Sequence, residues 1–395
     1  MEKKILYKWI ILIITFSTSM AIPIAMLEMP PLLPVLDKLW SIPLQTVSFY
    51  AITAYGIGIV IASFPFAFLS PRLGPKYAGI MCLFIAVIGT IINLLVSTIY
   101  GLFIGRIIEG IAFGLVYLYP ISAFSVWFSR EEMGLVAGIW SIFLPVSALL
   151  TFVLVPILIS FYGLTSVYLF TFGWTLISLI LWVIFFKLPS QKFKFRSNTK
   201  SLTISNSNIK NVILNRNVWL LVFIFFAFSY SFLGLTSYIT TYFVTVGKFN
   251  LFNASTIGII PVAVIIIAPF FGWLSDKTKS RKNFLLGGAA GTFLLSFIML
   301  GLPFTKLDWI VYFIFLGAFW AMTPPIVFSM PSEIVAPNLT GTVSGFLSFD
   351  TGLALVLSSI IIGPLINIIG WQWSLTSLFF LQGLSIIAII ALKVK

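Results

Sequence analysis

The sequence predicts an all-α integral membrane protein of twelve transmembrane helices, arranged as two pseudo-symmetric six-helix bundles. Composition is the first observation: 60% of the residues are hydrophobic and 8% charged, with a mean hydropathy of +1.13, whereas about 25% of a soluble domain is charged. Apolar stretches of the roughly 20 residues that a spanning helix needs recur along the chain, and twelve can be placed. A polar, Ser- and Asn-rich stretch then divides the chain after the sixth of them, with seven basic residues and no acidic one from Lys187 to Arg216. Such a segment stays in water while each flanking half satisfies its own backbone in lipid. The expected organisation is a first bundle over 1–186, a basic cytoplasmic linker over 187–216 and a second bundle over 217–395.

In order, span 1 covers 9–36, apolar from Trp9 and closing on a proline-rich end. Span 2 covers 46–69 and stops before Arg72; span 3 covers 77–97 and starts after Lys76. Span 4, at 100–127, carries two charges, span 5 runs over 133–160, and span 6 runs over 164–186 between Gly163 and Lys187. In the second half, span 7 (217–246) follows Arg216, span 8 (254–274) stops before Asp276, and span 9 (284–302) follows Arg281 and Lys282. Spans 10, 11 and 12 are placed at 308–329, 341–366 and 371–392. Prolines fall inside spans 1, 2, 4, 5, 8, 10 and 11, so these should be bent or jointed, whereas spans 3, 6, 7, 9 and 12 should be straight.

The halves echo one another. An offset of 207 residues aligns Gly134, Val136, Ala137 and Gly138 with Gly341, Val343, Ser344 and Gly345, and places Gly163 on Gly370. Together with the central linker and the even span count, this favours a direct repeat of six helices in parallel topology.

The net charge of +13 follows membrane topology rather than a nucleic-acid partner. With the amino end inside, nineteen Lys and Arg lie on the inner side, three (Lys38, Lys248, Lys306) on the outer, and Arg106 within the membrane. The positive-inside rule then puts both termini and the linker in the cytoplasm of a multi-pass plasma-membrane protein in contact with anionic lipid. No cleavable signal peptide is expected, because the first apolar segment runs far past signal length. With no histidine and a lone Cys82, neither a histidine- nor a cysteine-based metal site is expected, and no cofactor. The absence of a Gly-x-x-x-x-Gly-Lys-Ser/Thr loop excludes ATP as the direct driver, and no catalytic dyad suggests an enzyme. Asn253-Ala-Ser255 is a glycosylation sequon on an expected outer loop.

Two motifs point to a family. After span 8 the chain reads Gly272-Trp-Leu-Ser-Asp276-Lys277-Thr-Lys-Ser-Arg281-Lys282, in which an acid ending one helix can pair across the loop with the following bases. It resembles the signature loop of the major facilitator superfamily. The first-half counterpart keeps Arg72 and Gly74 but has Pro71 in place of the acid. Arg106-Ile-Ile-Glu109-Gly110 resembles the family's second motif, with glutamate for glutamine. The resemblance implies a secondary transporter working by alternating access, with Arg72, Gly74, Gly272, Asp276, Lys277 and Arg281 in gating loops. It also implies a central cavity lined by spans 1, 2, 4, 5, 7, 8, 10 and 11. The family's antiporter motif in span 5 is poorly matched, since Leu144 precedes Pro145.

Four charges inside the spans require an explanation: Glu28, Arg106, Glu109 and Asp350. Each costs roughly 2.5–3.5 kcal/mol at a helix centre on insertion scales, so each should face a cavity or a partner. An acid that can hold or release a proton there is a candidate proton carrier. Arg106 and Glu109, at i and i+3, share a helix face and form either a permanent structural pair or a coupling pair. Glu28 is either interfacial or functional, and Asp350 is either functional or satisfied by a serine or the backbone. Span 7 adds hydroxyls from Ser229 to Tyr242, which serve as a pocket lining or as helix-helix glue. The expectation is proton-coupled uptake of a small organic anion or polar metabolite by a monomer, with Glu28, Arg106, Glu109 and Asp350 as the substrate and coupling site. Proton-coupled efflux of lipophilic cations, and a non-transporting sensor or assembly role, are the alternatives.

Overall fold

The computed structural model describes residues 2–96, 98–128, 132–188, 212–301, 305–335 and 340–393. Most of the basic linker and Arg130 lie outside them, as does the side chain of Arg72. The described residues are helical almost throughout, in eleven long apolar stretches. The last of these, Val343–Ala391, is broken at Gly370 and crosses twice, which brings the count to twelve.

Span 1 is Glu2–Leu27 followed by Met29–Trp40. Span 2 opens with Leu44–Ser48 and a π-helical turn at Phe49–Thr53, then continues into Ala54–Leu95, which contains span 3 as well. Span 4 is Ile99–Val116 with Leu118–Trp127, span 5 is Met133–Ser141 with Phe143–Tyr162, and span 6 is Leu164–Phe185. Span 7 is Arg216–Thr245. Span 8 is assembled from Leu251–Gly258, Ile260–Val264, a 3-10 turn and Ala268–Thr278. Span 9 is Arg281–Gly301, and span 10 is Lys306–Trp320 with Thr323–Ser329. Spans 11 and 12 share Thr340–Ser377, and Phe380–Ala391 completes span 12.

Proline chemistry sets most of the joints. A proline has no N–H for the carbonyl four residues before it. The first helical segments end at Leu27, Val116, Ser141 and Trp320, each four residues ahead of Pro31, Pro120, Pro145 or Pro324. Span 11 absorbs Pro364 without a break, as span 2 does Pro65. Span 12, expected straight, is jointed at Leu378–Phe379 with no proline there.

The loop expected between spans 2 and 3 is reduced to one non-helical residue, Gly74, at φ 70°. Gly163 and Gly370, paired by the 207-residue offset, turn spans 5 into 6 and 11 into 12 with nearly the same backbone, φ 78° and ψ 179° against φ 81° and ψ 170°. A positive φ is open to glycine at little steric cost, so the repeat extends to the geometry of its turns. The sequon is corrected: Asn253 lies within the helix Leu251–Gly258 and Ser255 is fully buried.

Spans 2 and 11 pack together along their length. The Asn367 amide donates to Gln45 Oε1 at 3.1 Å near one face, and Thr53 and Ser359 share a hydroxyl hydrogen bond further in. Gly56 and Gly352 then meet backbone to backbone, and Phe64 sits 5.0 Å from Phe349 toward the face that carries Lys8, Arg281 and Lys393.

Candidate functional site

The centre of the site is the joint in span 1. Pro30 and Pro31 leave the carbonyls of Met26 and Leu27 without their usual N–H partners, and Arg106 of span 4 reaches across to this break. Its Nη2 donates to Met26 O at 3.3 Å and its Nη1 to Ala25 O at 2.5 Å, while Nε donates to Ala51 O of span 2 at 2.8 Å. Nη1 also donates to Glu109 Oε2 at 2.7 Å, and the guanidinium lies 4.5 Å from the Tyr55 ring centroid. Arg106 is 1% exposed, so one side chain ties spans 1, 2 and 4 together through charge-assisted bonds in the protein interior.

Glu109 is equally buried, and its other oxygen accepts from Asn93 Nδ2 of span 3 at 2.8 Å. Glu28 sits at the span 1 joint as the residue preceding Met29–Trp40 and is buried. It accepts a hydrogen bond from the Thr171 hydroxyl of span 6, and its Oε1 has no partner. Glu28, Arg106 and Glu109 interact electrostatically with one another, whereas Asp350 stands apart on span 11. Asp350 is 2% exposed and its Oδ2 has no hydrogen-bond partner, so neither a serine nor the backbone satisfies that oxygen.

A small cavity opens beside Arg106. Its walls come from both halves: Met26, Leu27, Pro30 and Ile52 with Arg106 from the first, and Leu233, Thr236, Ser237 and Leu355 from the second. Arg106 is the charged residue of this lining. Thr236 and Ser237 donate their hydroxyl protons to carbonyls one turn back, both at 2.7 Å, which leaves their lone pairs to accept.

The loop between spans 8 and 9 forms a second cluster. Arg281 pairs with Asp276 at 2.9 Å and with Glu333 at 2.8 Å, and donates to Ser329 at 2.5 Å, so it joins the ends of spans 8 and 10. Lys277 instead covers the Trp273 ring at 4.9 Å, and Gly272 lies against Pro325. Gly74 lies at the matching turn of the first half.

Sequence reasoning missed Asn93, Thr171, Tyr55 and Glu333, all of which reach the site from distant positions. A lone amide in the otherwise apolar span 3 was the available signal for Asn93. Glu333 lies beyond the expected end of span 10.

A family profile described as Major Facilitator Superfamily matches residues 9–358. An uncharacterized transporter of Buchnera aphidicola is 28% identical over 191 residues, covering 47% of this chain and 48% of that protein, so the match spans about half of the relative's length. A probable sulfoacetate transporter of Cupriavidus necator is 22% identical over 347 residues, 80% of each chain. Among solved structures, a bacterial homolog of the human lysosomal transporter Spinster, inward-facing and occupied, superimposes with a TM-score of 0.79 at 13% identity, covering 98% of this chain and 97% of that one.

Proposed function

The chain belongs to the major facilitator superfamily, and we propose that it works there as a proton-coupled importer of a small organic anion or polar metabolite. It is a multi-pass secondary transporter, and its substrate site lies in the cavity shared by the two halves. The observation that carries the anionic reading is the charge of that cavity's wall, the Arg106 guanidinium. An anion there would meet a cation already desolvated, which is where such an interaction is strongest. The 22% identical relative described as a probable sulfoacetate transporter supports the same class of solute and makes sulfonates and carboxylates the first probes.

Proton coupling rests on an imbalance of charge. Glu109 has Arg106 as its counter-ion, whereas Glu28 Oε1 and Asp350 Oδ2 are buried without partners. A proton on each removes the cost of an isolated charge. In this reading Glu28, Glu109 and Asp350 carry protons and Arg106 meets the substrate. Arg281 with Asp276, Lys277 and Gly272, and Arg72 with Gly74, sit in the gating loops. The two bundles are units 1–186 and 217–395 that rock about the cavity, with 187–216 as a cytoplasmic tether, in a monomer of the plasma membrane whose termini face the cytoplasm.

The test is uptake into proteoliposomes with an acid exterior, competed by small sulfonates, small carboxylates or lipophilic cations. Competition by the anions, lost in Arg106→Gln, is expected. Competition by lipophilic cations alone would favour the second reading, proton-coupled efflux, which the unpartnered acids would serve.

A further inference from the structure

We propose that Asn93 is a positioning residue that serves Glu109 in both of its protonation states, by turning its side-chain amide end for end. The inference rests on the reading above, in which Glu109 gains and loses a proton during transport. In the arrangement described, each oxygen of the ionised carboxylate has a donor: Arg106 Nη1 on Oε2 at 2.7 Å and Asn93 Nδ2 on Oε1 at 2.8 Å. The other end of the amide is unused. Asn93 is 4% exposed, and its Oδ1 is buried with no hydrogen-bond partner. A buried carbonyl oxygen is costly to leave without a donor.

Protonation of Glu109 supplies that donor. An ionised carboxylate only accepts, so it fixes the amide with its nitrogen inward; a protonated acid carries an O–H and can donate to an amide oxygen. Rotation about the last side-chain torsion exchanges the two ends within the same volume. The step is one proton transfer: an O–H bond of a hydronium ion from the aqueous phase breaks, an O–H bond forms on Glu109, a water molecule is left behind, and no further covalent bond changes.

Among the described residues, Asn93 is the group hydrogen-bonded to Glu109 Oε1, and its amide can both donate and accept. Arg106 donates only. From the neighbouring elements, Glu28 of span 1, Tyr55 of span 2 and Tyr168 of span 6 lie within electrostatic reach. Glu28 accepts from Thr171 through Oε2 and the Tyr55 hydroxyl donates to Ile22 O at 3.2 Å, whereas the hydrogen bonds to Glu109 among the described residues come from Arg106 and Asn93. The packing is cut to the pair: a Cβ on Gly105 would overlap the Asn93 amide, and one on Gly89 would come 2.6 Å from Glu109 Cγ.

Infrared difference spectroscopy of the full chain in lipid, stepped in pH, tests the proposal. Glu109→Gln assigns the acid band, and 13C-asparagine compared with Asn93→Gln assigns the amide. The expected result is that the Glu109 acid band and the Asn93 amide band change together with one midpoint. In Asn93→Leu the acid band should rise in frequency, its acceptor gone, and the pH profile of uptake should move by half a unit or more. A Glu109 band that titrates while the Asn93 amide is silent would overturn the role of Asn93 and leave the coupling reading intact. No Glu109 acid band at any pH would instead remove Glu109 as a carrier. Should Asn93→Leu fail to fold, the isotope measurement on the unaltered chain still decides.

Discussion

Arg106 carries more of the first half's structure than a substrate-binding role alone requires. Four of its contacts are to groups of the protein, three of them backbone carbonyls on spans 1 and 2. Its removal leaves Glu109 as a buried charge without a counter-ion and the proline-freed Met26 carbonyl unpaired. Arg106→Gln should therefore lose stability by about 3–5 kcal/mol, the range for breaking one side of a buried pair, read as a fall in melting temperature in lipid or detergent. Glu109→Gln leaves Arg106 without its counter-ion but still bonded to three backbone carbonyls and set against the Tyr55 ring, and should lose clearly less. Equal losses would mean that the pair, rather than the Arg106 bonds to span 1, holds the site. The pair was legible as an i, i+3 spacing. Asn93, Thr171 and Glu333 were not, because their partners are remote in sequence and only the packing of spans 3, 6 and 10 brings them in.

At the scale of elements, prolines and glycines divide the work between joints and crossings. Proline marked the joints in spans 1, 4, 5 and 10, where the segment ends fall four residues before it, whereas Pro65 and Pro364 are absorbed without a break. The joint in span 12 and the π-helical turn opening span 2 have no such marker, so the sequence pattern passed over them. The turn between spans 2 and 3 looked like a longer loop because the apolar runs stop before Arg72 and resume after Lys76, yet a single glycine makes the turn. Crossings depend on small residues, as is general where helices approach closely in lipid. A Cβ on Gly58 would overlap the Ile107 carbonyl of span 4, and one on Gly110 the Tyr55 carbonyl of span 2. Gly58→Ala should therefore destabilise by about 1–3 kcal/mol, the usual cost of overpacking, measured by thermal unfolding. Gly138→Ala, with open space around its Cβ position, should be near neutral. A destabilised Gly138→Ala with an unchanged Gly58→Ala would contradict this account of the crossing.

At the scale of the whole molecule, the two halves meet along spans 2 and 11, where Thr53 and Ser359 share a hydroxyl contact. Alternating access requires such contacts between halves to break and re-form. Thr53→Cys with Ser359→Cys should form a disulfide on oxidation that stops uptake, and a reductant should restore it; the native Cys82 is buried and should not interfere. Full transport by the cross-linked protein would show that this seam stays closed throughout the cycle. The twelve spans and the repeat were legible because lipid leaves the backbone few solutions and the turn glycines recur at a fixed offset. The solute was not, since a cavity wall assembled from spans 1, 2, 4, 7 and 11 has no signature in any one stretch of chain.

In the proposed function an inward proton gradient drives accumulation of a small anion past Arg106. The direct measurement is uptake of a labelled small sulfonate or carboxylate by purified protein in liposomes, with the exterior acidic, and again after a protonophore has collapsed the gradient. The expected result is accumulation above the external concentration that disappears with the gradient and in Asp350→Asn. Uptake that only equilibrates, or that is unchanged by the protonophore and by Asp350→Asn, would contradict it.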